Sequence, residues 1–213
     1  MPRTPLTRER VLRTAMALAD ADGVEGLSMR KLAKELGVEA MSLYHHVAGK
    51  DEILNGVVEI VLGEIELPGG GADWKEAIRR SAISAHDVFS RHPWACRLVL
   101  TRSGTSPARL RYMDSLLAAL REGGFPPGIT YHGYHALDSH IMGFTLWQGN
   151  FPASEDLATL AADFLRDFPT EDYPDLAEHI EQHVADSGHD GESDFEFVLD
   201  LILDGLERIR DAG

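Results

Sequence analysis

Cysteine is nearly absent from this sequence. Cys96 stands alone among 213 residues, which excludes an internal disulfide and any zinc–thiolate cluster. A solitary small residue beside Trp94, it reads as a piece of apolar core. No apolar run approaches the roughly 18 residues that a membrane-spanning helix needs. The opening Met-Pro-Arg-Thr-Pro leads into polar residues rather than the apolar centre of a signal peptide, so the cytoplasm is the expected location. A glycine-rich phosphate loop, a nucleophile elbow and a carboxylate pair in a hydrolytic context are all missing, and no cofactor is expected. Period-two stretches with strand-like boundaries are missing as well, so the expected fold is all-α. With 44% hydrophobic residues, the chain can still bury a sizeable core, as one compact body or two small domains.

Positive charge is scarce overall, with 20 Lys and Arg against 35 Asp and Glu, a net charge of −15. Divided along the chain, the deficit is uneven. Residues 1–50 hold eight basic and six acidic side chains, which leaves twelve against twenty-nine in residues 51–213. The N-terminal part alone is basic. Phosphate attraction depends on the field within about one Debye length, roughly 8–10 Å, so the whole-chain charge does not exclude a nucleic-acid partner.

That basic part contains the stretch around which the chain is organised, residues 28–50. Ser28 can cap a short helix, with Met29, Leu32, Ala33 and Leu36 on one face. Gly37 ends it in the left-handed conformation that a sharp turn requires, Val38 plugs the gap beneath, and a second short helix turns Leu43 and Val47 inward. This leaves Ala40, Met41, Ser42, Tyr44, His45 and His46 as a reading face, offering apolar contact for a thymine methyl and hydroxyls or imidazoles for phosphates and base edges. Arg30 can reach a phosphate or a guanine edge. Lys50, at the start of the following helix, favours a phosphate, whereas Asp51 and Glu52 beside it repel one. Two short amphipathic helices around Gly-Val also occur in ordinary helical cores; the neighbourhood favours the DNA reading. A helix over residues 7–22 precedes the pair, and a long striped helix with Ile53, Leu54, Val57, Val58, Val61, Leu62 and Ile65 follows it.

Residues 6–65 resemble the N-terminal domain of the tetracycline-repressor (TetR) family of transcriptional regulators. The resemblance lies in Gly26-Leu27-Ser28-Met29-Arg30-Lys31-Leu32-Ala33, Leu36-Gly37-Val38 and Leu43-Tyr44-His45-His46-Val47. It implies a three-helix DNA-binding head with a helix-turn-helix at residues 1–66, and a helical regulatory and dimerisation domain at 74–213. It also implies a homodimer on a palindromic operator, from which a small-molecule effector releases it by changing the separation of the heads. Trp74, Gly124-Phe125 and Gly143 carry a looser resemblance to tetracycline repressors in the second domain, without their drug specificity. Ala40, Met41 and His45 depart from the residue types of that repressor's reading helix.

Leu67-Pro-Gly-Gly-Gly-Ala-Asp73 marks the domain boundary, because no helix interior accepts such a run without loss. Helical spacing resumes over 74–91, 109–122, 129–148, 155–168, 175–186 and 193–210; residues 92–100 are apolar but interrupted. On helix 129–148, Gly133, Ala136, Leu137, His140, Gly143, Phe144 and Trp147 share one side, with Tyr131, His135, Asp138 and Met142 opposite. Small residues there permit close helix packing. We expect this helix and 193–210 to form a four-helix dimer interface, with Leu199 and Ile202 as its apolar contacts. A regulatory pocket is expected between 74–91, 109–122 and 129–148, reached by His86, Phe89, Tyr112, His135 and Trp147.

Two other function classes remain open at this level. His179 and His183 stand at i and i+4 with Glu178 and Asp186 near, the spacing for a divalent metal and hence for a metal-dependent helical enzyme. No third ligand is fixed, the group His132, His135 and His140 is no better defined, and no metal site is assigned. A DNA-binding activator without ligand control would also show the features of residues 6–65.

Overall fold

Thr7 opens the fold, its hydroxyl accepting from the Arg10 amide at 3.2 Å, one of the amides at a helix start that lack an intrahelical partner. From there α1 (Arg8–Asp22) runs to Gly23. Ser28 repeats the device for α2 (Met29–Leu36), accepting from Lys31 N at 3.2 Å. At Gly37, φ is +66°, a left-handed conformation that a Cβ would strain, and the amides of Gly37 and Val38 return to the carbonyls of Lys34 and Ala33. The second helix of the pair is shorter than its spacing predicts. Regular α3 spans only Ala40–Leu43, and the chain continues through turns that carry Val47 N back to Leu43 O at 3.0 Å. Next comes α4 (Lys50–Leu62).

The second part contains α5 (Trp74–Arg91), α6 (Pro93–Thr101), α7 (Pro107–Glu122), α8 (Pro127–Gln148), α9 (Pro174–Ala185) and α10 (Asp194–Asp211). This computed structural model describes residues 5–69, 73–102, 106–149, 162–164, 166, 168–185 and 193–212, and those residues include no strand. Proline leads α6, α7 and α8, where its fixed φ suits the first turn and its missing N–H is not needed. Residues 93–101, which the sequence pattern leaves unassigned, are therefore helical, with Trp94, Ala95, Cys96 and Val99 buried.

One apolar core runs from Val11, Leu32, Leu43 and Val57 to Ile78, Phe89, Leu116, Leu137, Ile141, Leu199 and Leu203. Within it α4 packs on α1 from one side and on α5, α6 and α7 from the other. Polar clasps reinforce the junction. Asp20 Oδ1 on α1 lies 2.7 Å from both His92 Nδ1 and Trp94 Nε1. Glu59 on α4 accepts from Ala108 N through both carboxylate oxygens at 3.0 Å, capping α7 from outside. Further along, α10 is anchored to α5 on one flank, where Arg79 reaches Asp200 and Glu196 at 2.8 and 2.7 Å and Lys75 reaches Asp204 and Glu207 at 2.7 and 2.6 Å.

Candidate nucleic-acid interface

The reading unit projects its side chains because its apolar residues are spent inward. Leu32, Leu36, Leu43 and Val47 are buried, while Met41 is 74% exposed and Tyr44 49%. An exposed methionine on a short helix next to an exposed tyrosine has no core to serve. His45 is exposed, and Ala40, Ser42 and His46 are partly so. Ser28 and Met29 hold the unit together: the Ser28 hydroxyl caps α2, and Met29 is half-buried against the core. Arg30 is exposed, and neither it nor Lys50 has a partner among the described residues. One turn beyond Arg30 on the same face stands Lys34, also exposed. Its i, i+4 spacing from Arg30 was the available signal for a cation that the motif reading passes over. Lys31 is instead committed to Asp22 at 2.7 Å.

Local electrostatics at the start of α4 answers the objection raised by its two carboxylates. Glu52 accepts from Ala48 N at 2.7 Å and from Arg8 Nε at 3.2 Å; the amide above all, and then Arg8, hold its pKa below the ordinary carboxylate value. Asp51 pairs with Arg102 at 3.0 Å. Both negative charges are thus matched locally, and the Lys50 ammonium is left at a helix N-terminus, where backbone amides also favour an anion.

In the second part, the five residues expected to line a regulatory pocket occupy different environments. His86 is half-buried; its Nδ1–H donates to Thr145 Oγ1 at 3.1 Å, since the Thr145 hydroxyl itself donates to Ile141 O at 2.8 Å. Burial lowers the His86 pKa. Its ring stacks on Phe195 at 4.0 Å, and the His140 ring lies parallel to Phe195 at 4.7 Å, donating from Nε2 to the Phe195 carbonyl at 2.9 Å. Phe195, Thr145 and His140 therefore join His86, contacts that cross 55 or more residues and leave no mark in any local pattern. Tyr112 is buried, and its hydroxyl has no partner among the described residues. Asp138, close enough to act on it electrostatically, has its pKa raised by burial, an effect that Arg109 partly offsets. Phe89 is wholly inside the core, whereas His135 and Trp147 are exposed at different points around α8, the Trp147 ring 5.7 Å from Phe144, which itself lies 5.6 Å from His86. The structure does not bring these five residues to one cavity among the described residues.

The side chain of His183 and residue Asp186 lie outside the described residues, as does most of helix 155–168, of which 162–164 and 166 are described and helical. Among the described residues no three His, Cys, Asp or Glu converge on a point where a metal could sit, and no helix is long and apolar enough to cross a membrane.

Two family models match this chain. Bacterial regulatory proteins of the tetR family match residues 11–57, and the tetracyclin repressor-like C-terminal domain matches residues 67–210, more than half of the sequence. The chain belongs to the TetR family. Among its relatives, the HTH-type transcriptional repressor DrrR1 of Streptomyces coeruleorubidus is 32% identical over 97% of this chain and 79% of its own length. Similarly, an HTH-type transcriptional regulator of Saccharopolyspora erythraea is 32% identical over 85% of this chain and 72% of its own. Of the solved structures, the TetR family protein ActR of Streptomyces coelicolor in complex with actinorhodin is 29% identical, covers 96% of each chain and superposes with a TM-score of 0.76. The all-α fold with an N-terminal helix-turn-helix is thus that of TetR-family DNA-binding regulators, and the chain's relatives are regulators of transcription rather than enzymes.

Proposed function

We propose that this TetR-family chain is a cytoplasmic, ligand-responsive transcriptional repressor that binds a near-palindromic operator as a homodimer and is released by a small-molecule effector. The observation that carries the reading is the continuity of α4: its first residue, Lys50, stands beside the reading unit, and its Glu59 caps a helix of the second domain. A displacement in the regulatory helices is thereby handed to the head through one rigid element. An effector needs only to bind the released arrangement better than the DNA-competent one, a coupling of typically about 1–3 kcal/mol.

Arg30, Tyr44 and Lys50 position the head on phosphates, Ser28 and Met29 hold the unit in shape at the backbone, and Ala40, Met41, Ser42, His45 and His46 face the bases. The domains divide at 66–74, a reading supported by the start of the second matched segment at residue 67. His86 and Tyr112 are the strongest effector contacts of the five proposed, since one offers an Nε2 without a described partner and the other a buried hydroxyl without one. Trp147 stands near the first of them, its ring 5.7 Å from Phe144, which lies 5.6 Å from His86. That ActR is solved with a ligand bound supports effector control here.

Two half-sites one helical turn apart, roughly 34–36 Å, need two heads at fixed spacing. Among the described residues, the adjacent α8 and α10 each present an exposed face: Ala136 and Gly143 on α8, and Phe197 (55% exposed), Leu201 (53%) and Ile209 on α10. Leu199 is no interface contact. It is fully buried in its own chain, so an aspartate there would unfold the chain rather than split a dimer, and Ile202 is half-buried against the same core. Phe197 and Leu201 take their place. The test is capture of genomic fragments by the purified protein, then a gel-shift screen for compounds that release them; a protein that selects no fragment over bulk DNA would refute the proposal.

A further inference from the structure

Between the head and the regulatory domain lies a cleft of about 380 Å³, walled by α1, α4, α6 and the start of α7. That volume is at the lower end of the roughly 300–1,000 Å³ typical of small-molecule sites. Leu12, Val58 and Val99, all buried, form an apolar floor. Polar clasps fix the rim and leave the middle hollow: Arg102 Nε donates to Asn55 Oδ1 at 2.8 Å and its NH2 to Asp51 Oδ1 at 3.0 Å, while Glu59 holds the start of α7. At Gly56 the two helices of the head touch, for an added Cβ would lie 2.6 Å from Leu12 Cδ2. The cleft is therefore a gap between two bodies clamped at their edges, not a crease that apolar side chains have closed.

Its charge is unusual for this chain. Arg8, Arg102 and Arg109 face it against Glu52 and Glu59, an excess of one positive charge in a protein of net charge −15. Arg8 and Arg102 are paired with carboxylates, and Glu59 is spent on Ala108 N and Arg111. Arg109 differs. It is half-buried, one guanidinium N–H donates to Val99 O at 2.9 Å, the Asp138 carboxylate acts on it through space without a hydrogen bond, and its other N–H groups have no hydrogen-bond partner among the described residues. A half-buried guanidinium with open donors above an apolar floor matches one anionic group on an apolar body.

We infer that this cleft is a second ligand site, separate from the proposed effector pocket, for a small amphipathic monoanion whose apolar body lies on Leu12, Val58 and Val99 and whose acidic group pairs with Arg109. A ligand there ties α4 to α6 and α7 and so holds the head in one orientation. The probe is 1-anilinonaphthalene-8-sulfonate, an apolar body with a single sulfonate, followed by its fluorescence on the full-length protein. We expect saturable binding of one molecule per chain. Arg109→Gln, which keeps the shape, should weaken it at least tenfold, and Leu98→Trp, which fills the cleft, should abolish it. Binding of the uncharged parent, N-phenyl-1-naphthylamine, should be unchanged by Arg109→Gln. Circular dichroism establishes that each variant is folded. The inference is overturned if no saturable binding occurs, if folded Arg109→Gln and Leu98→Trp proteins bind the sulfonate as the wild type does, or if binding is lost in His86→Trp and kept in Leu98→Trp.

Discussion

Replacing Gly143 by alanine separates a bare helix face from a paired one by the sign of its effect. Gly143 lies inside α8, is exposed, and among the described residues an added Cβ would meet no atom beyond its own turn of helix within 4 Å. In an isolated chain the substitution can only help, because glycine in a helix interior costs about 0.5–1 kcal/mol relative to alanine. For a domain of this size, that corresponds to a rise in melting temperature of roughly 1–4 °C. If instead α8 packs against α8 or α10 of a second copy, the Cβ enters a space that the partner's backbone occupies. Overpacking of that kind costs about 1–3 kcal/mol, and the two-fold symmetry of such an interface counts it twice. The penalty then outweighs the propensity gain, and since each 1.4 kcal/mol is tenfold in affinity, dimer dissociation should strengthen by at least tenfold. Sedimentation velocity over a concentration series, with melting curves at the same concentrations, measures both quantities. A Gly143→Ala protein that melts a few degrees higher at every concentration and remains as dimeric as the wild type would refute the placement of this face in the interface.

Other consequences are open to direct measurement. Lys50→Ala should weaken binding to all DNA sequences alike and reduce the slope of log affinity against log salt by about 0.9 per lost phosphate contact, whereas Met41→Ala should change which bases are preferred; binding isotherms at several salt concentrations distinguish the two. Tyr112→Phe removes a buried hydroxyl without a described partner and should stabilise the protein by about 1 kcal/mol in urea denaturation while weakening the response to effector. Asp138→Asn should stabilise the protein at pH 7. Burial raises the Asp138 pKa, so the folded state disfavours its charge; the wild type should lose stability relative to the variant as pH rises from the ordinary carboxylate range through the raised value, and match it below that range. Melting curves from pH 3 to 8 test that sign. Gly123→Ala should destabilise by about 1–2 kcal/mol, because its Cβ would stand 2.7 Å from Trp74 Cγ and 2.9 Å from Trp74 Cβ, the root of a buried side chain that cannot swing aside; equilibrium unfolding reads this directly.

The head was legible in the sequence because each of its features is local. Ser28 caps three residues away, Gly37 turns on the spot, and Leu32, Leu36 and Leu43 repeat at helical spacing. In the second domain helical spacing marks the described helices other than α6 but does not set which of their faces is buried. On α8 the buried arc centres on Tyr134, Leu137 and Ile141, with aromatic, polar and small residues all round, so periodicity alone could not set its phase. Gly133 faces Leu206 of its own chain at 3.1 Å from an added Cβ, while Ala136 and Gly143, grouped with it by residue type, look outward. On α10 apolar residues cover more of the circumference than one core can use. Spacing therefore could not tell Leu199, buried, from Leu201, exposed. Helix α6 escaped notice because its proline looks like a break until it is seen to occupy the first turn.

Cys96 gives the protein a chemical clock. Its sulfur is wholly buried against Met142, and burial pushes its pKa up to about 11, so at neutral pH it is neither reachable nor ionised, the two conditions under which a thiol attacks a disulfide or maleimide. It is also the one cysteine in the sequence. Any modification under native conditions thus counts an opening that bares α6, such as its parting from α8, and its rate reports the population of that opening wherever reclosure is fast. A compound that draws those helices together slows labelling at a single atom, and one that prises them apart hastens it, whichever site it occupies.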